Sequence, residues 1–87
     1  MVLVHLYSKD DCHLCDIALK VIEHAQLKHP FQLLVTKINE DHPKYGRFKE
    51  QIPVVFVEGE QTFMYKVNEE RLLQKIKEYE NNLKDVL

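Results

Sequence analysis

The chain has 87 residues, of which 45% are hydrophobic and 30% are charged, as in one small globular domain. Its net charge of −2 gives no basic surface of the kind that binds nucleic acid. No apolar run approaches the ~20 residues that span a bilayer, and the first residues lack the charged start and cleavage site of a signal peptide. The two cysteines belong to one local motif and cannot cross-link a secreted mini-domain. We therefore expect a single domain over residues 1–87, in the cytoplasm, without membrane or nucleic-acid partners.

The first half of the chain predicts a strand, a helix and a second strand. An apolar run from Val2 to Tyr7 indicates a buried strand, and a polar loop, Ser8–Asp11, follows it. A helical pattern begins at Cys12 and ends before Pro30, because the residue preceding a proline disfavours helix. Its apolar stripe consists of Leu14, Ile17, Ala18, Val21, Ile22 and Ala25. The run Phe31–Ile38 is so continuously apolar that it predicts a strand covered on both faces.

The second half predicts a short helix, a hairpin and a final helix. Polar residues dominate Asn39–Gln51, where we expect a loop and one short helix. Val54–Val57 is a third strand, Glu58–Glu60 is a turn, and the chain returns through Thr62–Tyr65. Asn68 is a suitable N-cap for the last helix. One face of that helix is lined by Leu72, Leu73, Ile76, Tyr79 and Leu83.

This order of elements, βαβ, then a short α, then ββα, predicts an α/β fold. The two strands of the βαβ unit should be parallel, with a right-handed crossover. The hairpin then completes a mixed four-stranded sheet flanked by helices. No linker, repeat or low-complexity segment divides the chain.

The stretch Cys12-His13-Leu14-Cys15 contains both cysteines of the chain. Two cysteines three positions apart at the start of a helix can close a disulfide and open it again. A strand that leads into such a pair at a helix N-terminus is typical of a thioredoxin-like redox site. We interpret the two cysteines as a redox pair, although two buried, inert thiols would be the structural alternative.

Three features together resemble the glutaredoxin family. They are Tyr7-Ser8-Lys9, the Cys12-x-x-Cys15 motif, and Ile52-Pro53-Val54 before a glycine turn. The resemblance covers nearly the whole chain and is strongest to small glutaredoxin-like proteins that have an acidic residue before the first cysteine and Tyr-Gly upstream of Ile-Pro-Val. It implies a thioredoxin-like fold of the glutaredoxin type and a thiol–disulfide oxidoreductase.

The resemblance also implies roles for individual residues. Cys12 would be the catalytic nucleophile and Cys15 the resolving thiol. Pro53 would follow a cis peptide bond beside the pair, leaving the backbone groups of Ile52 available to an extended substrate. Lys9 would lie near the glycine carboxylate of glutathione.

The chain departs from the glutaredoxin pattern before its last helix. Glutaredoxins usually have Gly-Gly and an acidic residue there, which hold the γ-glutamyl end of glutathione, whereas this chain has Met64–Asn68. We therefore expect glutathione to be a poor electron donor and expect no resident cofactor. The expected partners are a disulfide-containing protein or small molecule and a thiol or reductase that donates electrons, and we expect a monomer.

Charges near the cysteine pair have opposite effects on the stability of a Cys12 thiolate. The free N–H groups at the helix start, Lys9 and protonated His13 favour a Cys12 thiolate. Asp10 and Asp11 oppose it if their side chains point at the sulfur. We expect the first effect to prevail and Cys12 to be the more reactive thiol.

Two metal-binding alternatives deserve comparison. Cys12, Cys15, His24 and His29 follow the ligand order of a zinc finger, but only eight residues, patterned as helix, separate Cys15 from His24. We therefore do not predict a zinc site, and we interpret His5 as a tolerated strand residue rather than a ligand.

The second alternative is a non-catalytic protein in which Cys12 holds an iron–sulfur cluster or another soft metal, since thiolates suit such ions. A resolving partner at Cys15 favours redox catalysis instead.

Overall fold

The computed structural model describes the backbone of residues 1–86 and the side chains of residues 1–81. In chain order the elements are β1 (Leu3–Ser8), α1 (His13–Lys28), β2 (Gln32–Lys37), α2 (Tyr45–Phe48), β3 (Val54–Val57), β4 (Glu60–Met64) and α3 (Glu69–Val86). The predicted order of elements is confirmed. Within the described part of the chain, no helix is both long and apolar enough to cross a membrane.

The four strands form one mixed sheet in the order β2-β1-β3-β4. β1 is parallel to β2 and antiparallel to β3, so that Leu6 lies between Val35 on one side and Val55 on the other. β3 and β4 form the antiparallel hairpin. The predicted mixed four-stranded sheet is confirmed, with β1 as the interior strand that leads directly to the cysteine pair.

The hairpin turn consists of Glu58 and Gly59, whose φ angles are 50° and 80°. Two positive φ angles in a two-residue loop match the twist of antiparallel strands, and glycine adopts such an angle without a steric penalty. The return strand begins at Glu60, earlier than predicted, with a register irregularity opposite Val55 and Phe56. It ends at Met64, one residue before the predicted end.

The main hydrophobic core lies between one face of the sheet and the pair α1 and α3. It consists of Val2, Val4, Leu6, Ala18, Ile22, Ala25, Phe31, Val55, Val57, Leu72 and Ile76. The strand residues in this set alternate along β1 and β3, as they must when one face of a sheet is buried. Burial of this apolar surface is the main force that holds α1 against the sheet.

The buried face of α1 differs from the predicted stripe. Its buried residues are Cys15, Ala18, Ile22 and Ala25. Leu14 and Ile17, both predicted in the stripe, are 42% and 45% exposed. Relative to the predicted stripe, the buried face is turned about the helix axis, so that it begins at Cys15 instead of Leu14.

The prediction that β2 is covered on both faces is wrong. None of its six residues is buried, and Leu34 and Val35 are 48% and 39% exposed. β2 is an edge strand, and the single turn of α2 packs Phe48 against Tyr7 and Phe56 on β1 and β3. A four-residue helix at that position does not reach across to the edge.

The last helix begins as predicted. The side-chain oxygen of Asn68 accepts a hydrogen bond from the Arg71 N–H at 3.0 Å, which caps α3. Leu72 and Ile76 are fully buried, and Leu73 and Tyr79 pack against the same core. Leu83, the last residue of the predicted stripe, lies outside the residues whose side chains are described.

Two isoleucines on α1 provide a matched test of this packing. Ile22 is fully buried, whereas Ile17 is 45% exposed. Ile22→Ala should lower the free energy of unfolding by about 2–5 kcal/mol, because it leaves a cavity in the core. Ile17→Ala should change it by about 0.5 kcal/mol or less. Urea unfolding of both variants measures the difference. Equal losses in the free energy of unfolding would contradict an α1 that buries Ile22 and exposes Ile17.

Candidate redox site

The cysteine pair lies where β1 passes into α1. Asp11, with φ of 54°, turns the chain, and Cys12 is the N-cap residue of the helix. The Cys12 carbonyl accepts a hydrogen bond from the Asp16 N–H at 3.2 Å, and the Cys12 sulfur accepts one from the Cys15 N–H, also at 3.2 Å. The two sulfur atoms are at disulfide-bonding distance, and the Cα atoms are 5.2 Å apart. A sulfur held by a helix N-terminal N–H is in a position that favours negative charge.

The two cysteines differ in accessibility. Cys15 is 4% exposed and belongs to a buried cluster, whereas Cys12 is partly exposed and packs at the edge of that cluster. Cys12 is therefore the sulfur that an external molecule reaches first, as expected from its position at the helix start.

A cleft of about 550 Å³ opens beside the pair, between α1 and the β2 edge. Its charged lining residues are Lys9, Asp11, Asp16 and Lys37. Lys37 also forms an ion pair with Asp10, so Lys9 is the lysine of the cleft that faces Asp11 and Asp16. The N–H groups at the start of α1 add positive potential at Cys12.

The two aspartates that precede Cys12 have different surroundings. Asp10 is 82% exposed at its side chain and forms an ion pair with Lys37 at 3.2 Å, and it does not line the cleft. Asp11 does line it. Of the two expected repulsions, only that of Asp11 acts from within the cleft.

The segment Glu50–Pro53 is brought beside the cysteines by the second hydrophobic cluster. This cluster consists of Tyr7, Cys15, Ile38, Phe48, Ile52 and Val54, with Cys12 and Phe56 packed against it. The Ile52–Pro53 peptide bond is cis, as the resemblance implied. Residues far apart in the sequence therefore meet around one buried sulfur.

The backbone of Ile52 is less available than predicted. Its N–H donates to the Phe48 carbonyl at 3.1 Å, which continues the hydrogen-bonding pattern of α2 beyond its last turn. The prediction that both backbone groups are free is therefore wrong for the N–H. Among the described hydrogen bonds, none reaches the Ile52 carbonyl oxygen.

Tyr65 also contacts this segment, and no local sequence pattern predicts that contact. Its N–H donates to the Pro53 carbonyl at 2.8 Å, and its hydroxyl donates to the Glu50 carbonyl. Its φ angle is 67°, which is uncommon for a residue other than glycine. The available sequence signal was a tyrosine at a position where the glutaredoxin resemblance leads one to expect glycine.

The histidines of the zinc-finger-like pattern lie away from the cysteines. His24 pairs with Glu69, and His29 pairs with Glu80 at 2.8 Å. His24 comes nine residues after Cys15 on the same helix, which corresponds to about 14 Å along its axis. Among the residues with described side chains, no group of three or more His, Cys, Asp or Glu is placed to hold a metal ion.

His5 lies on the sheet face that carries the second cluster. Its ring stacks on Tyr7 with 4.2 Å between centroids, and its Nε2 is 2.7 Å from the Thr36 hydroxyl. The ring is thus held by protein contacts. Burial, and then the nearby charge of Lys44, lower the pKa of His5 below its ordinary value.

A family model described as a glutaredoxin-like domain (DUF836) matches residues 3–77, which include every element of this site. The chain belongs to this glutaredoxin-like family. The predicted resemblance is thereby confirmed at the level of the family.

Solved structures with low sequence identity have the same fold as this glutaredoxin-like domain. Target protein XcR50 from X. campestris is 23% identical with a TM-score of 0.70, over 85% of this chain and 95% of that one. Protein Ne2328 from Nitrosomonas europaea is 22% identical with a TM-score of 0.69, over 79% and 84%. A malaria-parasite protein described as thioredoxin-2 is 14% identical with a TM-score of 0.63, over 90% and 82%. These similarities establish a thioredoxin-like α/β fold.

The lowered pKa of His5 predicts a pH dependence of stability. Because the folded protein disfavours the charged ring, the unfolded chain binds the extra proton first, and stability falls as the pH drops through about 6.5. His5→Phe keeps an aromatic ring on Tyr7 and removes the titration. The stability of the unaltered protein relative to this variant should therefore decrease from about pH 8 to about pH 5. Urea unfolding at several pH values measures it, and a constant or growing difference would contradict the assignment.

Proposed function

We propose that this glutaredoxin-like domain is a thiol–disulfide oxidoreductase that reduces protein or small-molecule disulfides through a Cys12/Cys15 dithiol cycle. The observation that carries the proposal is a cysteine pair at bonding distance at a helix N-terminus, with Cys12 accessible and Cys15 buried. The bonding distance between the two sulfurs supports this cycle over the alternative in which Cys12 holds an iron–sulfur cluster or soft metal.

In the first step the Cys12 thiolate attacks one sulfur of the substrate disulfide. A mixed disulfide forms between Cys12 and the substrate, and the other substrate sulfur leaves as a thiolate. Cys15 then loses its proton to solvent and attacks the Cys12 sulfur. The second substrate thiol is released, the substrate has gained two electrons, and the Cys12–Cys15 disulfide has formed.

Two thiols, or a dithiol reductase, must then return two electrons to the pair. The low exposure of Cys15 suits its role, because a buried thiol attacks its neighbour rather than an external molecule. Asp16 lines the cleft next to both cysteines. We assign it no proton-transfer role, since an acidic residue in the first helical turn is ordinary.

Substrate contacts are proposed at three sequence-predicted residues and at the helix surface. Lys9 lines the cleft with both cysteines and suits a carboxylate of the substrate. The free Ile52 carbonyl can accept a hydrogen bond from a substrate N–H, and Pro53 shapes the segment that carries it. Leu14 and Ile17, exposed in the first two turns of α1, suit the apolar surface of a protein substrate.

We further propose that the domain acts in the cytoplasm as a monomer. A reducing compartment keeps thiols available and returns the pair to its dithiol state. Two coupled assays identify the electron donor. One supplies glutathione and glutathione reductase, and the other supplies thioredoxin and thioredoxin reductase.

The first test concerns the roles of the two thiols. In the reduced protein, alkylation at mildly acidic pH should modify Cys12 before Cys15, because Cys12 is more exposed and contacts the helix N–H groups. Peptide mapping by mass spectrometry after short exposure identifies the modified residue. Equal labelling, or a preference for Cys15, would reverse the assignment.

Matched serine variants complete this test. Cys12→Ser should abolish disulfide reduction, because no nucleophile remains at the accessible position. Cys15→Ser should still form the mixed disulfide but release it slowly, so that an adduct accumulates on Cys12. An unchanged steady-state rate in either variant would exclude the dithiol cycle.

The second test concerns glutathione. In place of the usual Gly-Gly-acidic clamp this chain has Tyr65-Lys66-Val67-Asn68. A lost charged or buried hydrogen bond costs about 1–3 kcal/mol, roughly ten- to hundredfold in affinity. Turnover in the glutathione-coupled hydroxyethyl-disulfide assay should be lower by about this factor than for an ordinary dithiol glutaredoxin. Turnover comparable to that of an ordinary dithiol glutaredoxin would show that another surface binds glutathione.

A further inference from the structure

Tyr65 lies alongside the Glu50–Pro53 segment, whose Ile52 packs in the same buried cluster as Cys15. Its N–H donates to the Pro53 carbonyl at 2.8 Å, while its hydroxyl donates to the carbonyl of Glu50. The two ends of one tyrosine thus contact the two ends of Glu50–Pro53, and its side chain runs parallel to this segment. Tyr65 is itself 46% exposed, whereas Pro53 is fully buried.

The backbone at Tyr65 is held in an unfavourable conformation. The Lys66 N–H donates to the Met64 carbonyl at 2.7 Å, which closes a three-residue turn around Tyr65 with φ of 67°. Turns of this kind are rare and strained for residues with a side chain. Such strain persists only where surrounding contacts enforce it, and it is concentrated at functional sites. The contacts of Tyr65 with Glu50 and Pro53 are the ones that enforce it here.

The hydrogen-bonding groups of the segment are largely occupied. The N–H groups of Gln51 and Ile52 donate to the Phe48 carbonyl at 2.7 and 3.1 Å. The carbonyls of Glu50 and Pro53 accept from Tyr65. An extended polypeptide that pairs at the Ile52 carbonyl and continues to the Glu50 carbonyl must therefore compete with the Tyr65 side chain.

We propose that Tyr65 is a specificity-determining residue that covers the Glu50–Pro53 segment and restricts its pairing with extended disulfide-bonded polypeptides. The proposal rests on the proposed disulfide reduction at Cys12. Small disulfides reach Cys12 without contacting the segment. Extended substrates bind fully only when the Tyr65 side chain moves aside, so their apparent affinity is reduced by the fraction of molecules in which the segment is covered.

The experiment compares Tyr65→Phe and Tyr65→Gly with the unaltered protein in single-turnover reduction. One probe is an extended peptide whose central cysteine is disulfide-linked to 2-mercaptoethanol, and the other is bis(2-hydroxyethyl) disulfide. The reduced protein supplies both electrons in each case, so no external donor affects the result. Rates measured over a range of probe concentrations give the half-saturating concentration and the maximal rate as two separate quantities.

Tyr65→Phe removes only the hydroxyl contact with Glu50, and its half-saturating peptide concentration should fall about two- to tenfold, the equivalent of one hydrogen bond. Tyr65→Gly removes the whole side chain, keeps the backbone N–H that donates to Pro53, and adopts a positive φ without strain, so the decrease should be at least as large. The maximal peptide rate and the rate with the small disulfide should stay unchanged.

Tyr79→Phe is the matched control. It also removes one tyrosine hydroxyl hydrogen bond, to Glu60 at the hairpin end of β4, 2.6 Å away. This variant should leave both substrates unaffected, so that a general loss of stability is distinguished from an effect at the site.

An unchanged or increased half-saturating peptide concentration in both Tyr65 variants, with normal reduction of the small disulfide, would overturn the proposal. An equal effect in Tyr79→Phe would do the same. Failure of the unaltered protein to reduce either probe would instead refute the proposed disulfide reduction itself.

Discussion

The packing of α1 against the sheet is the constraint on which the redox site depends. The buried residues of this helix, from Cys15 through Ala18 and Ile22 to Ala25, are spaced alternately three and four positions apart. Because Cys15 begins this buried row, rotation of the helix would bring it out of the interior. Cys12, one turn earlier, then falls at the N-cap and at the protein surface. The difference between an accessible and a protected thiol is thus a consequence of core packing.

The second hydrophobic cluster joins this helix start to residues far along the chain. Cys15 packs in the same cluster as Phe48 and Ile52, which belong to α2 and the segment after it. The single turn of α2 has little stability of its own, since short helices depend on tertiary packing. Phe48 anchors it on the aromatic rings of Tyr7 and Phe56. The Ile52 N–H donates to the Phe48 carbonyl, so the Glu50–Pro53 segment has one hydrogen-bond donor fewer for a substrate.

Much of the fold was predictable because it follows from local patterns. The strand preceding Cys12, the glycine turn at Gly59 and the Asn68 cap each depend on residues close in the sequence, and the structure confirms them. The errors have non-local causes. The apolar composition of β2 suggested burial on both faces, but its edge position and the short reach of α2 leave Leu34 and Val35 exposed. The rotation of α1 depends on the sheet it contacts, and helical periodicity alone did not distinguish Leu14 and Ile17 from Cys15.

The candidate site divides in the same way. By itself, the sequence determined the cysteine spacing, the helix start that follows β1, and the order of the helices and strands, because these are properties of neighbouring residues. Only the tertiary structure decided that Asp10 pairs with Lys37 instead of lining the cleft and that the Ile52 N–H donates to Phe48. It also decided that Tyr65 lies along the Glu50–Pro53 segment. These contacts join side chains and backbone groups from separate elements, and the distances between such groups are set by the packing of the whole sheet and its helices.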